Sequence, residues 1–296
     1  MFRLLWRQRR CLLFGGFFAS LALMMMVLDR FGIAALGPLP PVILSLSLLL
    51  TTLIVAAGVM ALGAVVVIVL PRWRSLLELG ALAFFVTAAL QVLVPALYEI
   101  PYIGGFVPFI LTLVLVALIY GEALDRFRLP LDNRSCRSIV SPLDPQSLWE
   151  TLVPGAAPVS AHWDPLLHDI TPIDGDPDRF EATYTHGGSL YEHRTITFLD
   201  RNAPFHAKYD HVGRVNPKSR SLVEGTYEIT ITPLGDRPGC RVTLCARMTE
   251  ALPRVAIARW FDDELGDRAD YLRARQRGKR DWSMAGLYRC KVAQFA

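Results

Sequence analysis

The first 129 residues of this 296-residue chain contain no lysine and no histidine, and only five acidic residues against nine arginines. A segment that poor in charge has too little polar surface to face water over its whole length, which excludes an ordinary soluble domain there. Cysteines at ligand spacing are also missing. Cys11, Cys136, Cys240, Cys245 and Cys290 form no CxxC pair, and they are expected to be free thiols in a reducing compartment. The net charge of +4 lies entirely in the first 129 residues (9 − 5), while the 22 basic and 22 acidic residues of the remainder cancel. No basic patch is left for nucleic acid, so no nucleic-acid partner is expected.

In place of charge, the first region has four apolar runs, roughly 11–28, 41–70, 75–97 and 103–121. Each reaches the ~20 residues that cross a hydrocarbon core. The second run, Pro41 to Leu70, holds 30 residues without a charge. Two spans and a turn would need over ~40, so it reads as one tilted helix or a helix with a buried extension. Arginine placement orients the spans. Arg3, Arg7, Arg9 and Arg10 precede the first, Arg72 and Arg74 follow the second, and Arg126 and Arg128 follow the fourth. The opposite loops, 29–40 and 98–102, carry only Arg30. Four spans with both termini cytoplasmic satisfy every cluster, and a bacterial inner membrane is the expected location. The first apolar run is longer than a signal peptide needs and no small-x-small site follows it, so it is expected to be a retained anchor. Trp73, Tyr98 and Tyr102 sit at the expected interfaces. The span centres hold no ionisable side chain, and Gln91 is their main polar residue. That pattern favours an anchor or scaffold over a transporter.

The membrane region is expected to end near residue 128. A link over 129–134 then leads to a domain over 135–277, with a basic and aromatic tail at 278–296. In this domain the hydrophobic period is two. Strands are expected near 135–140, 168–174, 179–186, 190–199, 205–213, 221–232 and 240–249. A short helix over 144–152 opens with Asp144-Pro145 in cap and first-turn positions. A second helical piece is expected around 159–167, and one long helix from Pro253 to about 277.

Gly187-Gly188 suggests a two-residue turn that pairs His186 with Ser189 and Glu181 with Arg194. A five-residue loop, Asp200 to Pro204, then pairs Leu199 with Phe205 and Arg194 with Asp210. Glu181, Arg194 and Asp210 form an alternating charged row on one face. The opposite face gathers Phe180, Ala182, Tyr184, Tyr191, His193, Thr195, Phe205, Ala207, Tyr209 and His211. Val223, Tyr227, Ile229 and Ile231, with Val242, Leu244, Ala246 and Met248, extend that side. Ile257, Phe261, Leu265, Ala269 and Leu272 recur at helical spacing and supply the cover. The expected fold class is α+β: a four-span helical membrane region followed by a curved antiparallel sheet wrapped on a long C-terminal helix.

This order of elements resembles the START/polyketide-cyclase superfamily (SRPBCC, helix-grip fold). The stretch SIVSPLDPQSLWE, which opens at Ser138 and contains Trp149, is similar to that family's first strand leading into a helix. Trp163-Asp164-Pro165 followed by His168 to Ile173 is similar to its second helix leading into strand two. The resemblance covers roughly 134–277 and none of the membrane region. It implies a fold and a hydrophobic cavity for a lipid or other apolar small molecule, and it transfers no active-site residue. The lining expected for such a cavity is Phe180, Tyr184, Tyr191, His193, Phe205, Tyr209, His211, Tyr227, Leu244, Met248, Ile257, Phe261 and Leu265.

All six histidines fall within residues 162–211. Zinc needs three or four converging ligands; only His193 and His211 are expected to meet, and no metal, cofactor or catalytic residue is assigned. His193 with Tyr191 or Tyr209 would be the acid–base pair of a cyclase or dehydrase, but Glu181, Glu192 and Asp210 are expected to face outward. Arg273, Arg275, Arg277, Lys279 and Arg280, beside Trp282, form a candidate membrane-surface cluster. The expected function is a membrane-anchored binding protein that holds a hydrophobic ligand or lipid. The alternatives are an enzyme on an apolar substrate, or a structural or regulatory membrane protein whose protein partner the sequence does not reveal.

Overall fold

The computed structural model describes residues 2–31, 40–70, 73–102, 104–119, 121–124, 127, 133–164, 166–185, 191–214, 223–248, 253–284 and 286–287. The chain divides into two compact units, the first formed by Met1–Ala123 with Trp260–Asp262, the second by Leu124–Arg259 with Asp263–Ala296.

The first unit is helical: α1 (Phe2–Arg7), α2 (Arg9–Phe31), α3 (Pro41–Val69), α4 (Ser75–Leu93), α5 (Ala96–Glu99) and α6 (Val107–Ile119). Three of these are long and apolar enough to cross a membrane, and the fourth apolar run forms a shorter apolar helix over Gly104–Ile119. The 41–70 run is one unbroken helix. Proline at its first turn costs nothing, because the missing N–H would have had no intrahelical partner. Helix α2 packs against α3 and α4, and α4 against α6. The approach of α2 to α3 is tight enough that a Cβ on Gly16 would lie 2.9 Å from Met60 Cγ.

The second unit contains the seven expected strands: β1 (Asn133–Ser141), β2 (Leu167–Pro172), β3 (Arg179–Thr185), β4 (Tyr191–Asn202), β5 (His206–Arg214), β6 (Val223–Pro233) and β7 (Cys240–Met248). They form one antiparallel sheet in the order β1-β7-β6-β5-β4-β3-β2. Helix α7 (Pro145–Leu152) begins as expected: the Asp144 carboxylate accepts from the Ser147 N–H, which satisfies one of the orphan donors of the first turn. Helix α7 packs on β6, and the last helix on β1 and β7.

Two helical expectations fail. The piece expected at 159–167 is only a 3-10 turn, Val159–Ala161. The long C-terminal helix is broken into α8 (Pro253–Phe261) and α9 (Glu264–Gln276). The break falls where Asp263 leaves helical geometry and turns its side chain into a cap that accepts from the Gly266 N–H. Aspartate competes with the helical backbone in just this way.

The strand register also differs. The Gly187-Gly188 turn and the His186–Ser189 pair lie outside the described residues, but Thr185 pairs with Tyr191, and Ala182 rather than Glu181 faces Arg194. Leu199 does not pair with Phe205; instead Phe198 pairs with Tyr209 and Asp200 with Lys208 across a bulge, and Arg194 meets Gly213 rather than Asp210. A slip of one residue exchanges the two faces of a strand. On β4 the inward residues are therefore Glu192, Arg194, Ile196 and Phe198, and Tyr191 and His193 face outward. The second misjudged register reversed the parity again, so the assignment of Ala207, Tyr209 and His211 to the inside is correct.

The cysteine expectation is corrected as well. Cys136 and Cys245, directly paired on β1 and β7, are joined in a disulfide, while Cys11 and Cys240 are free and buried. Spacing in sequence gave no hint of this, because 109 residues separate the partners and only the sheet brings them together.

Candidate functional site on the inner face of the sheet

The inner face of the sheet is divided in composition. Toward one end, Ile139, Phe180, Phe198, Ala207, Ile229, Ile231 and Val242 form an apolar floor closed by Leu148, Trp149 and Leu152 of α7. Leu148 and Leu152 are fully buried, so that end is a packed core.

Toward the other end the same face carries Tyr184, Glu192, Arg194, Tyr209, His211 and Tyr227. Glu192 and Arg194 form a two-point ion pair, Nε to Oε1 at 2.7 Å and Nη2 to Oε2 at 3.0 Å. The Arg194 guanidinium also lies over the Tyr184 ring, 4.5 Å from its centre. Two glycines make the room. A Cβ on Gly213 would lie 2.6 Å from Arg194 Cγ, and one on Gly225 would lie 3.0 Å from His211 Cε1. Tyr209 stacks on Tyr227 with centroids 5.6 Å apart and meets Phe198 edge-on at 5.4 Å.

From the helical side, Arg268 of α9 donates to Asp164 at 3.1 Å and to Glu264 at 2.7 Å. Burial opposes the charge on both arginines. Burial is the largest single influence on each, but for Arg194 the hydrogen bond and charge of Glu192 with the Tyr184 phenol, and for Arg268 the carboxylates of Glu264 and Asp164 with the phenols of Tyr227 and Tyr184, together outweigh it, so both pKa values are raised. The three phenols are also raised, in each case chiefly by burial and most for Tyr209. They therefore stay protonated at neutral pH and can donate hydrogen bonds, but they cannot serve as bases. The Tyr227 hydroxyl is buried and has no hydrogen-bond partner among the described residues. An unmade bond of that kind costs about 1–3 kcal/mol, and a bound acceptor would repay it.

His162 lies at the edge of this arrangement. It is buried, and its Nδ1 accepts from the Asp164 N–H at 3.1 Å. Burial lowers its pKa from 6.5 to about 4, against the opposing pull of Asp164. Nearby, Val159, Ser160, Leu167, Tyr271, Arg275, Lys279 and Asp281 line an open groove of about 460 Å³ with His162 and Asp164.

Of the residues expected to line a cavity, Phe180, Tyr184, Tyr209, His211, Tyr227, Leu244, Met248 and Leu265 are buried in the second unit. Four others are placed differently. Tyr191 is 40% exposed, with its ring 5.7 Å from His168. His193 is exposed on the outer face, near Thr183 Oγ1 (3.3 Å) and Glu181 (3.7 Å). It is paired with Arg214, and His211 with Ile196, so the two histidines do not meet. Phe205 is 43% exposed at the β4–β5 turn. Phe261 belongs to the first unit, where its ring meets Phe14 edge-on at 5.1 Å. Ile257 is half-buried in α8.

The basic cluster is partly committed to the fold. Arg273 binds Asp270 at 2.7 Å and Arg275 donates to the His162 carbonyl at 3.0 Å. Arg277, Lys279 and Arg280 are exposed, and Arg280 lies over the half-buried Trp282 ring at 4.2 Å. Met284 and Leu287 of the tail are buried, and the Met284 N–H donates to Asp267.

Glu192, Arg194 and Arg268 are the residues that sequence reasoning missed. Arg268 had a signal: Leu265, Arg268, Ala269 and Leu272 follow i, i+3, i+4, i+7, so it sits on the buried stripe of its own helix. Glu192 and Arg194, two apart on one strand, necessarily share a face; only the choice of face was lost with the register.

These features define an α+β chain with three long apolar helices ahead of a seven-stranded antiparallel sheet. No family model matches it, and no curated protein does. Among solved structures, the Mll3558 protein of Rhizobium loti is similar at 17% identity, with a TM-score of 0.36, covering 49% of this chain and 96% of its own. A conserved protein from Geobacillus kaustophilus is similar at 16% identity, with a TM-score of 0.35, covering 50% of this chain and 94% of its own.

Proposed function

We propose that this chain is a membrane-anchored binding protein whose soluble domain holds an amphipathic small molecule or lipid in an SRPBCC-like, helix-grip arrangement of sheet and C-terminal helices. The observation that carries the reading is the Tyr227 hydroxyl, buried with no partner among the described residues amid Tyr184, Tyr209 and the charge of Arg268. A solely structural core has no use for three buried phenols and an intact ion pair at one end of a sheet, since apolar groups of equal volume would pack there at lower cost. The polar end would take the ligand's hydrogen-bonding group, with the protonated phenols as donors.

The anchor would consist of four spans, the fourth provided by the shorter helix over Gly104–Ile119. Arginine placement supports cytoplasmic termini in a bacterial inner membrane. The exposed Arg277, Lys279 and Arg280 would lie toward anionic headgroups.

The test is to purify the full chain from membranes in mild detergent and record its native mass spectrum. A single co-purifying molecule at equimolar ratio, lost in Tyr227→Phe with the fold intact, is expected. A ligand-free wild-type protein that also takes up none of the extracted membrane lipids would overturn the reading.

A further inference from the structure

The outer face of the sheet holds a second site, independent of the reading above. A groove of about 400 Å³ is lined by Arg134, Lys208, Thr226, Glu228, Cys245 and Arg247. Three bases face one acid, and that acid is already engaged: Glu228 Oε2 lies 3.5 Å from Arg134 and Oε1 lies 3.3 Å from His206. Two further carboxylates lie nearby and are also engaged: Asp210 accepts from Thr226 at 2.7 Å, and Asp200, the β4 partner of Lys208, lies 3.1 Å from His206. Cys245 lies in this groove and is disulfide-bonded to Cys136, its direct partner on β1. The two sulfurs are not equivalent. Cys136 is exposed on an edge strand, whereas Cys245 is buried at the cationic floor.

We propose that Cys136–Cys245 is a thiol–disulfide exchange site selective for small thiols that carry carboxylates. The groove attracts the carboxylates, and the incoming thiolate attacks the exposed Cys136 sulfur. A mixed disulfide forms at Cys136 and the S–S bond to Cys245 breaks. Cys245 leaves as a thiolate; Glu228, its direct partner on β6, opposes that charge, while Lys208 and Arg247 in the same groove favour it. A second thiol then takes over the mixed disulfide. The protein disulfide gains two electrons, and two small thiols become one small disulfide. The same steps run in reverse close the pair, so a disulfide at this position is compatible with a compartment rich in small thiols. The bond ties β1, the strand that follows the membrane region, to β7, so opening it removes the covalent link and leaves β1 held by its ladder with β7, by Ile139 in the core and by the Arg137–Asp263 and Ser138–Thr243 contacts.

The experiment uses the full chain in detergent with Cys136–Cys245 closed. Its opening by glutathione, which is anionic, is timed against opening by neutral 2-mercaptoethanol, each rate divided by the thiolate concentration and each product trapped and mapped by mass spectrometry. Glutathione is expected to react about tenfold faster at low ionic strength. The advantage should collapse in ~1 M salt, where charges are screened within about 3 Å. It should also shrink in Arg134→Gln/Lys208→Gln and grow in Glu228→Gln, with the glutathione adduct on Cys136. Equal normalised rates, an adduct on Cys245, a rate indifferent to all three substitutions, or a pair that neither thiol opens would overturn the proposal.

Discussion

Leucine is used in opposite ways in the two units. Leu46 and Leu62 of α3 are 64% and 69% exposed, whereas Leu148, Leu152 and Leu244 of the sheet domain are 0% exposed. The second unit turns its leucines into its own apolar interior, whereas the first turns them outward along helices long and apolar enough to cross a membrane. Polar groups divide the same way. Among the described residues of the sheet domain, the buried carboxylates are paired, Glu192 with Arg194 and Asp164 with Arg268. Helix α3 avoids the problem by carrying no charge over its full length.

The comparison can be broken or sharpened in four ways, taken from the largest expected effect to the smallest. Leu148→Ala should destabilise the sheet domain by about 4 kcal/mol, since it leaves a cavity in a closed core. Leu62→Ala should change stability by less than about 0.5 kcal/mol, as surface substitutions do. Denaturant titration of the full chain in micelles measures both, and equal losses would abolish the distinction between the units.

Glu192→Gln should cost about 3 kcal/mol, because it strands a guanidinium in the interior. The double variant Glu192→Gln/Arg194→Gln should recover part of that loss. A single variant as stable as the wild type would mean that the pair sits in water.

A third contrast is one of pH. The first 129 residues have no histidine, so a histidine-dependent response belongs to the sheet domain. His162 titrates near pH 4 when folded and near 6.5 when unfolded. Between those values the unfolded chain binds more protons, so stability falls as the pH drops from 6.5 to 4, by about 2–3 kcal/mol. His162→Asn should flatten that part of the stability profile; an unchanged slope would assign it to other groups.

The smallest effects concern glycine. Gly155 has φ +75°, and a Cβ there would lie 2.7 Å from the Phe180 ring, so Gly155→Ala should cost about 1–2 kcal/mol. A Cβ on Gly58 of α3 meets nothing within 4 Å. Gly58→Ala should be neutral or stabilising by up to about 1 kcal/mol. Melting temperatures of the two variants, compared side by side, test the pair.

Much of the fold was legible in the sequence because its signals are local. Alternation of apolar residues located all seven strands to within a few residues, and Asp144-Pro145 located the start of α7. The uncharged run from Pro41 marked α3. The candidate site was legible only in part. Period places Tyr184 and Tyr227 on the inner face of their strands, whereas Tyr209 reaches it only because the two misjudged registers cancel. Glu192 and Arg194 were assigned to the wrong one, because YEHRTITF alternates polar and apolar residues too weakly to fix its own parity. His193 drew attention as the residue nearest to acid–base chemistry, yet it lies in solvent.

By itself, then, the sequence determined where the seven strands, α7 and the long apolar helices lie, and which stretch is poor in charge. These are matters of composition and period over a few turns or a few residues. Three features needed the tertiary structure: which face of β4 is inside, where the C-terminal helix breaks, and which cysteines meet. Each depends on a partner distant in the chain. A register one residue off exchanges two faces at no local cost, Asp263 caps α9 and also accepts from Arg137 on β1, and Cys136 reaches Cys245 only because the first strand of the sheet lies beside the last.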